Sequence, residues 1–142
     1  MKKHGVKIGF TVIIGQIIAW AGLRETTIMN IQDHLNMITA NSVFAGFLFS
    51  GLSIMISLVD VPRIKRLNDH GYLDKYFFGI YAAIVLHILS VFASLLFIVF
   101  SRNRIVEIVS NKLSIGFLIS GLILFSKTIF RLIRITHKAR FE

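Results

Sequence analysis

The chain has 142 residues, of which 55% are hydrophobic and 16% are charged, and its formal net charge is +9. Soluble domains carry roughly 25% charged residues, and a domain of this length cannot bury so much apolar side chain while covering its surface with charge. High hydrophobicity excludes a disordered chain. The absence of cysteine excludes disulfide frameworks, thiolate metal sites and cysteine nucleophiles. The composition therefore indicates an integral membrane protein.

Four apolar segments are long enough to cross a membrane as helices. They cover residues 6–23, 43–61, 77–100 and 113–130, and about 20 helical residues cross a hydrocarbon core of roughly 30 Å. Unbroken apolar runs differ from the short alternating segments of a β-barrel. The first segment ends Ala19-Trp20-Ala21, which also fits a signal-peptide cleavage site, but we expect an uncleaved helix. The sequence predicts an all-α membrane protein with four transmembrane helices in one domain of residues 1–142.

The basic residues predict which side of the membrane each loop occupies. With the N-terminus in the cytoplasm, twelve of the 16 Lys and Arg residues lie on the cytoplasmic side. The other four, Arg24, Arg102, Arg104 and Lys112, lie on the opposite side. Because cytoplasmic loops carry the excess of Lys and Arg, we predict that both termini are cytoplasmic.

The connecting segments contain helical patterns of their own. In residues 24–42, apolar side chains recur at three- and four-residue steps, as in an amphipathic helix. That helix either lies on the outer leaflet or continues a span, and the alternative is that it packs on a neighbour. In residues 62–76, Pro62 suits a helix start and Gly71 suits a turn, which predicts a small basic helix between them.

Basic residues form a stripe where the fourth span continues into residues 127–142. Lys127, Arg131, Arg134 and Lys138 are spaced four, three and four residues apart, so they share one helical face. The stripe contacts anionic lipid, or it docks an acidic cytosolic partner together with Arg63, Lys65 and Arg66. Direct nucleic-acid binding is disfavoured, because neither an aromatic platform nor a groove-reading motif accompanies the charge.

Small residues line one face of three of the four spans. Residues 46–52 match residues 116–122 at six of seven positions. Duplication of a helical hairpin would explain the match, and chance similarity between apolar segments is the alternative. Small residues at four-residue steps let helices approach closely in lipid. We therefore expect a tight bundle, with further faces free for homo-oligomerisation. The predicted helix-packing residues are Gly15, Ala19, Gly46, Ser50, Gly51, Gly116 and Ser120.

Two polar side chains lie deep in the predicted spans. Gln16 is near the middle of the first span, and His87 is near the middle of the third. An ionisable group inside a membrane is a functional candidate, so His87 either senses a proton or ligand, or lines a pore. The alternative is a neutral histidine bonded to Gln16 or to a serine hydroxyl, which fixes the register of the helices.

Catalytic and cofactor signatures are lacking in the sequence. It has no HExxH motif, no glycine-rich phosphate loop and no paired carboxylates, and its histidines are scattered. We therefore expect neither an enzyme nor a metal or cofactor site. No carboxylate lies deep in a span, which argues against a proton-coupled exporter.

The layout resembles the small four-span membrane subunits of bacterial anti-phage defence systems, such as that of Kiwa. The resemblance rests on the Gly- and Ser-rich second span, residues 45–53, and on residues 64–67 and 71–73 of the inner connection. It implies a homo-oligomer in the bacterial inner membrane, a cytosolic partner on the basic face, and a role in responding to phage.

Two functions follow as hypotheses. In the first, an oligomeric, non-enzymatic membrane protein recruits a cytosolic effector through its basic residues. In the second, the chain is a pore-forming effector that depolarises the membrane when triggered, with Gln16, His87 and the serines of the third span lining a wet path.

Overall fold

The computed structural model describes residues 2–22, 29–59, 62–69, 71, 73–100 and 102–141. Within these ranges, the side chains of residues 2–4, 63, 64, 66, 67, 75 and 135–141 lie outside the description. The described residues form five helices. The helices are α1 (Lys2–Gly22), α2 (Ile31–Leu58), α3 (Pro62–Asp69), α4 (Asp74–Phe100) and α5 (Arg104–Phe141).

Four of these helices, α1, α2, α4 and α5, are long and apolar enough to cross a membrane. The prediction of an all-α membrane protein with four membrane-spanning helices is thus confirmed. Two helices begin earlier than the apolar runs do, α2 at Ile31 rather than residue 43 and α5 at Arg104 rather than residue 113. The segment before residue 43 therefore continues a span. At about 1.5 Å per residue, α2 is roughly 42 Å long.

Local hydrogen bonds explain where α2 begins. The Asn30 side chain accepts from the backbone N–H of Asp33 at 2.9 Å, and the Asp33 carboxylate accepts from the backbone N–H of Asn30 at 3.0 Å. This reciprocal capping box satisfies two backbone donors that the first turn of a helix leaves free. The polar segment before the apolar run is therefore a stable helix start rather than a loop.

The short helix α3 follows the pattern read in the sequence. It begins at Pro62 and ends at Asp69, and the chain then turns at Gly71. Gly71 has a φ of +68°, and its backbone N–H donates to the Asn68 carbonyl oxygen at 2.8 Å. A residue with a Cβ is strained in this left-handed conformation, so the glycine permits the return from α3 to α4.

The four long helices pack in the order α2, α4, α5, α1. The most extensive contact joins α4 to α5, and α2 packs on the free side of α4 while α1 packs on the free side of α5. Smaller contacts join α2 to α5 and α1 to α4 across this row. Tyr76 and Arg131 mark one end of the row, and Trp20 and Lys112 mark the other. We call these the Tyr76 end and the Trp20 end.

The distribution of side chains differs from that in a soluble protein. Seven of the ten largest side chains that are less than 2% exposed are polar: His34, His87, Asn41, Ser90, Ser94, Ser114 and Ser120. Large apolar side chains lie outside, such as Phe47 and Phe92, which are 62% and 59% exposed. Soluble proteins bury apolar residues preferentially, whereas lipid solvates them. The outer surface of this chain is therefore suited to acyl chains.

The interior is divided along its length. The apolar core comprises Leu48, Leu52, Met55, Leu73, Ile80, Ala83, Ile84, Leu86 and Leu124. In α2 and α4 these residues lie on the Tyr76 side of Asn41 and His87. From Asn41 and His87 toward the Trp20 end, the buried residues of α2 and α4 include His34, Ser90 and Ser94. Within α2 and α4, the buried residues of one half are thus apolar, and those of the other half include several polar groups.

Candidate functional site

A network of buried hydrogen bonds joins α2, α4 and α5 near the middle of the spans. The Asn41 side-chain N–H donates to Ser90 Oγ at 3.0 Å and to the Met37 carbonyl oxygen at 2.8 Å. The Ser90 hydroxyl in turn donates to the Ser114 carbonyl oxygen at 2.7 Å. In lipid an unsatisfied polar group has no water to bond, so these contacts hold the three helices in one register.

His87 joins this network through the other end of the Asn41 amide. His87 Nδ1 lies 2.7 Å from Asn41 Oδ1, and because an amide oxygen only accepts, Nδ1 carries the proton. The ring stacks on Phe44, with 5.5 Å between ring centroids. On α5 the ring faces Gly121, where a Cβ would lie 2.8 Å from His87 Cε1. His87 therefore fits between α2 and a notch that only glycine leaves open in α5.

The predicted partner of His87 is wrong, because His87 bonds Asn41 rather than Gln16 or a serine hydroxyl. The amide of Gln16 packs on Gly116, where a Cβ would lie 2.5 Å from Gln16 Oε1. Gly116 and Gly121 are five residues apart, which places them about 140° apart around α5. Gln16 and His87 thus contact two different sides of the same helix.

Small residues let α1 and α5 approach closely. A Cβ at Gly15 would clash with the Ser120 hydroxyl and lie 2.8 Å from the Gly116 carbonyl oxygen. Ala19, one turn further along α1, is 1% exposed. The Ser120 hydroxyl donates to the Gly116 carbonyl oxygen at 2.7 Å. Four of the predicted helix-packing residues, Gly15, Ala19, Gly116 and Ser120, thus lie in buried positions on α1 and α5.

The small residues of α2 have a different environment. Gly46 and Ser50 lie on the exposed side of α2, and nothing lies within 4 Å of a Cβ built at Gly46. In the single chain they therefore do not pack on another helix as expected. Gly51 is half-buried, and a Cβ there would lie 3.5 Å from Leu132 Cδ1. The matched sequence segments of α2 and α5 consequently occupy unlike surroundings.

Basic side chains gather at the Tyr76 end. Lys65, Lys127, Arg131 and Arg134 are exposed, and the Arg131 guanidinium lies 5.9 Å from the centroid of the Tyr76 ring. The side chains of Arg63, Arg66 and Lys138 lie outside the described part of the chain. The helix continues from Arg104 to Phe141, so the predicted extension of the fourth span through the stripe is present as backbone.

Asn41 and His34 are functional candidates that the sequence analysis missed. Both lie in residues 24–42, which the apolar pattern of residues 28–38 predicts to be a connection. That face is outward, since Ile31 and Leu35 are 52% and 44% exposed, whereas His34, Met37 and Asn41 are buried. The signal was available in the spacing of three and four residues between His34, Met37 and Asn41.

No group of three or more His, Asp or Glu side chains that could hold a metal ion occurs among the described residues. Comparison with protein families, with characterised proteins and with solved structures finds no match.

Proposed function

We propose that this chain is a non-enzymatic, oligomeric protein of the bacterial inner membrane that recruits an acidic cytosolic effector through its Tyr76 end. The observation that carries the proposal is the set of exposed cations at that end, Lys65, Lys127, Arg131 and Arg134. None of the four forms an ion pair with a carboxylate in the described part of the chain. Exposed charges of one sign on folded helices attract and orient an oppositely charged partner.

The orientation is part of the proposal. Twelve of the 16 basic residues belong to the N-terminus, the 62–76 connection and the C-terminal part of α5, and these three segments meet at the Tyr76 end. Because short cytoplasmic loops carry the excess of Lys and Arg, the Tyr76 end faces the cytoplasm. The basic stripe is then available to soluble proteins of the cell.

The remaining features agree with a protein that anchors a soluble partner at the membrane. The buried side chains are uncharged in the described residues, and the outward apolar side chains suit lipid. The exposed side of α2 at Gly46 and Ser50 offers a close-packing surface for a second copy of the chain. Anti-phage defence is the biological setting of the proposal, and it rests on the resemblance of the second span and the inner connection.

The alternative, a pore, gains no support from the geometry. A wet path would have to pass Gln16 and His87 together, yet these side chains contact different sides of α5. Toward the Tyr76 end, the core around Leu52, Ile80 and Leu124 is apolar. A conducting state would need a different arrangement of the helices.

Charge reversal at each end tests recruitment. The full-length chain is expressed in its native host as R131E/R134E, with R102E/R104E as a control of equal charge change at the Trp20 end. The protein that copurifies with the wild-type chain is purified, and its binding to proteoliposomes is measured. We expect at least a tenfold weaker binding by R131E/R134E and unchanged binding by R102E/R104E.

Two results would overturn the proposal. One is an equal loss of binding in both variants, which would mean that the charges act without regard to position. The other is ion flux through wild-type proteoliposomes in the absence of a partner, abolished by His87→Phe, which would establish the pore.

A further inference from the structure

Two of the exposed cations at the Tyr76 end lie at the edge of a membrane-spanning segment. Lys127 belongs to the apolar segment 113–130, and Arg131 directly follows it on the same face of α5. Their neighbours Phe130 and Ile133 are 73% and 58% exposed, which suits acyl chains rather than water at this level. A basic side chain at the edge of the hydrocarbon core extends its charged group toward the lipid headgroups.

The Arg131 guanidinium is positioned where α4 and α5 meet. It lies 5.9 Å from the centroid of the Tyr76 ring, within the range of a cation–π contact. One of its terminal nitrogens lies 3.9 Å from the point that a Cβ would occupy at Gly79, and Thr128 Oγ1 lies 3.8 Å from the same point. Because Gly79 has no side chain, the guanidinium can lie close to α4 there. A residue of α5 is thus held in place by two residues of α4.

Both cations keep hydrogen-bond donors for a further ligand. Neither Lys127 nor Arg131 forms an ion pair with a carboxylate in the described part of the chain, and both side chains are exposed. Guanidinium and ammonium groups each carry several N–H donors and accept no hydrogen bond. The pair therefore suits an anion with several oxygen atoms, such as a phosphate.

The surroundings select the source of that phosphate. Phe78 and Phe130, the chain neighbours of Gly79 and Arg131, are 42% and 73% exposed, so each helix offers an apolar surface beside the charged groups. A phospholipid brings a phosphate and acyl chains together, whereas a soluble anion leaves these rings without a partner. An anionic headgroup fits better than phosphatidylethanolamine, whose ammonium would lie beside two like charges.

We propose that Lys127 and Arg131 bind the phosphate of an anionic phospholipid at the contact between α4 and α5, with Tyr76 and Gly79 as positioning residues. This lipid site goes beyond effector recruitment and divides the basic residues of the Tyr76 end by depth. Lys65 of α3 and Arg134, which lie outside the apolar segments, remain for the effector. Lipid binding is measured on the chain alone, so its failure is distinct from a failure of recruitment.

Native mass spectrometry tests the site on the purified full-length chain in detergent. The wild-type chain is titrated with phosphatidylglycerol and, separately, with phosphatidylethanolamine of the same acyl composition, and the dissociation constant of the first bound lipid is measured. We expect phosphatidylglycerol to bind at least five times more tightly. Equal affinity for the two lipids would overturn the proposal, and this comparison does not depend on any variant.

Neutral substitutions locate the site. K127Q/R131Q should bind phosphatidylglycerol at least fivefold more weakly than the wild type, and R102Q/R104Q, which loses the same charge at the Trp20 end, should bind it unchanged. An equal loss in both variants would overturn the proposal, because total charge would then explain the affinity. Displacement of the lipid by an equal concentration of inorganic phosphate would also overturn it, since the site would then take a soluble anion.

A substitution that keeps every charge tests the role of Gly79. Gly79→Leu fills the space beside the Arg131 guanidinium and should weaken phosphatidylglycerol binding at least threefold. Gly9→Leu is the control, since nothing lies within 4 Å of a Cβ at Gly9, and it should bind like the wild type. Wild-type affinity in Gly79→Leu would refute the positioning of Arg131 by α4.

Discussion

At the scale of single residues, Asn41 joins more of the structure than any other side chain of the buried hydrogen-bond network. Its amide oxygen accepts from His87, and its N–H groups reach Ser90 and the Met37 carbonyl oxygen. A side chain of similar size without an amide, such as leucine, fills the space but leaves the His87 Nδ1–H and the Ser90 hydroxyl without this partner. The fold therefore depends on the amide rather than on its volume.

We expect Asn41→Leu to lower the free energy of unfolding by about 1–3 kcal/mol, the usual cost of leaving buried polar groups unpaired. Thermal unfolding of the purified protein in detergent measures it. Asn36→Leu is the control, since Asn36 is exposed on the same helix and bonds only Gln32 across one turn. Equal stability of the two variants would show that the network contributes nothing.

Gly121 of α5 is the second residue on which the buried hydrogen-bond network depends. A Cβ there would lie 2.8 Å from His87 Cε1 and 3.0 Å from Nε2, so Gly121→Ala displaces the ring and stretches its bond to Asn41. We expect Gly121→Ala to lower the free energy of unfolding by roughly 1–3 kcal/mol, as for overpacking. Gly46→Ala, which has open space, should leave it almost unchanged.

A double-mutant cycle tests the clash between Gly121 and His87 directly. His87→Ala should lower the free energy of unfolding less in the Gly121→Ala background than in the wild type, and strict additivity would contradict the clash.

At the scale of helices, the sequence predicts the existence of the spans far better than their ends or their faces. Apolar runs are sufficient evidence for four helices, because length and hydropathy alone decide whether a segment can cross a membrane as a helix. They give no evidence for the capping box at Asn30 or for the burial of His34 and Asn41. A helix in lipid turns its polar side inward, so the apolar face of residues 28–38 indicates the lipid side.

The sequence likewise does not predict which helices pack against each other. Small residues are present in α1, α2 and α5, but only pairing in three dimensions decides which are used. Gly15 and Gly116 meet because Gln16 and Ser120 fit beside them, whereas Gly46 faces outward. The same pattern therefore has two outcomes within one chain.

The α1–α5 contact has a built-in reporter, because Trp20 is the single tryptophan and Lys112 Nζ lies 4.7 Å from its ring centroid. We expect Gly15→Val to separate the helices, because the larger side chain meets Ser120 and Gly116. Separation removes Lys112 from the ring, so the Trp20 emission maximum and its quenching by bilayer-embedded quenchers should change. Gly9→Val, with nothing within 4 Å, should leave the spectrum unaltered. Identical spectra for both variants would contradict the close crossing.

At the scale of the whole molecule, the two ends of the row differ in their number of basic side chains. Lys7, Lys65 and Arg134 belong to the Tyr76 end, and Arg102 belongs to the Trp20 end, all with exposed side chains. Because the protein lacks cysteine, a single cysteine at each position can be labelled without background.

We expect K7C, K65C and R134C to react with a membrane-impermeant maleimide only after the cells are permeabilised, and R102C to react in intact spheroplasts. The excess of basic residues at the Tyr76 end is the physical reason, because it resists translocation. The reverse pattern would invert the orientation. A mixed pattern among the first three positions would contradict the antiparallel arrangement itself.

The order of the helices in the row also determines how the protein is made. Helix α1 leaves the ribosome first, yet its extensive contact is with α5, the last helix to be synthesised. Translation proceeds at about 5–20 residues per second, so several seconds pass between the synthesis of α1 and that of α5. During this time the glycine face of α1 and Gln16 are exposed to lipid. During that interval a membrane chaperone or another nascent copy can bind the same face. Misassembly of this chain is therefore most probable before α5 has been synthesised. A chain that lacks α5 would leave the glycine face of α1 without its packing partner.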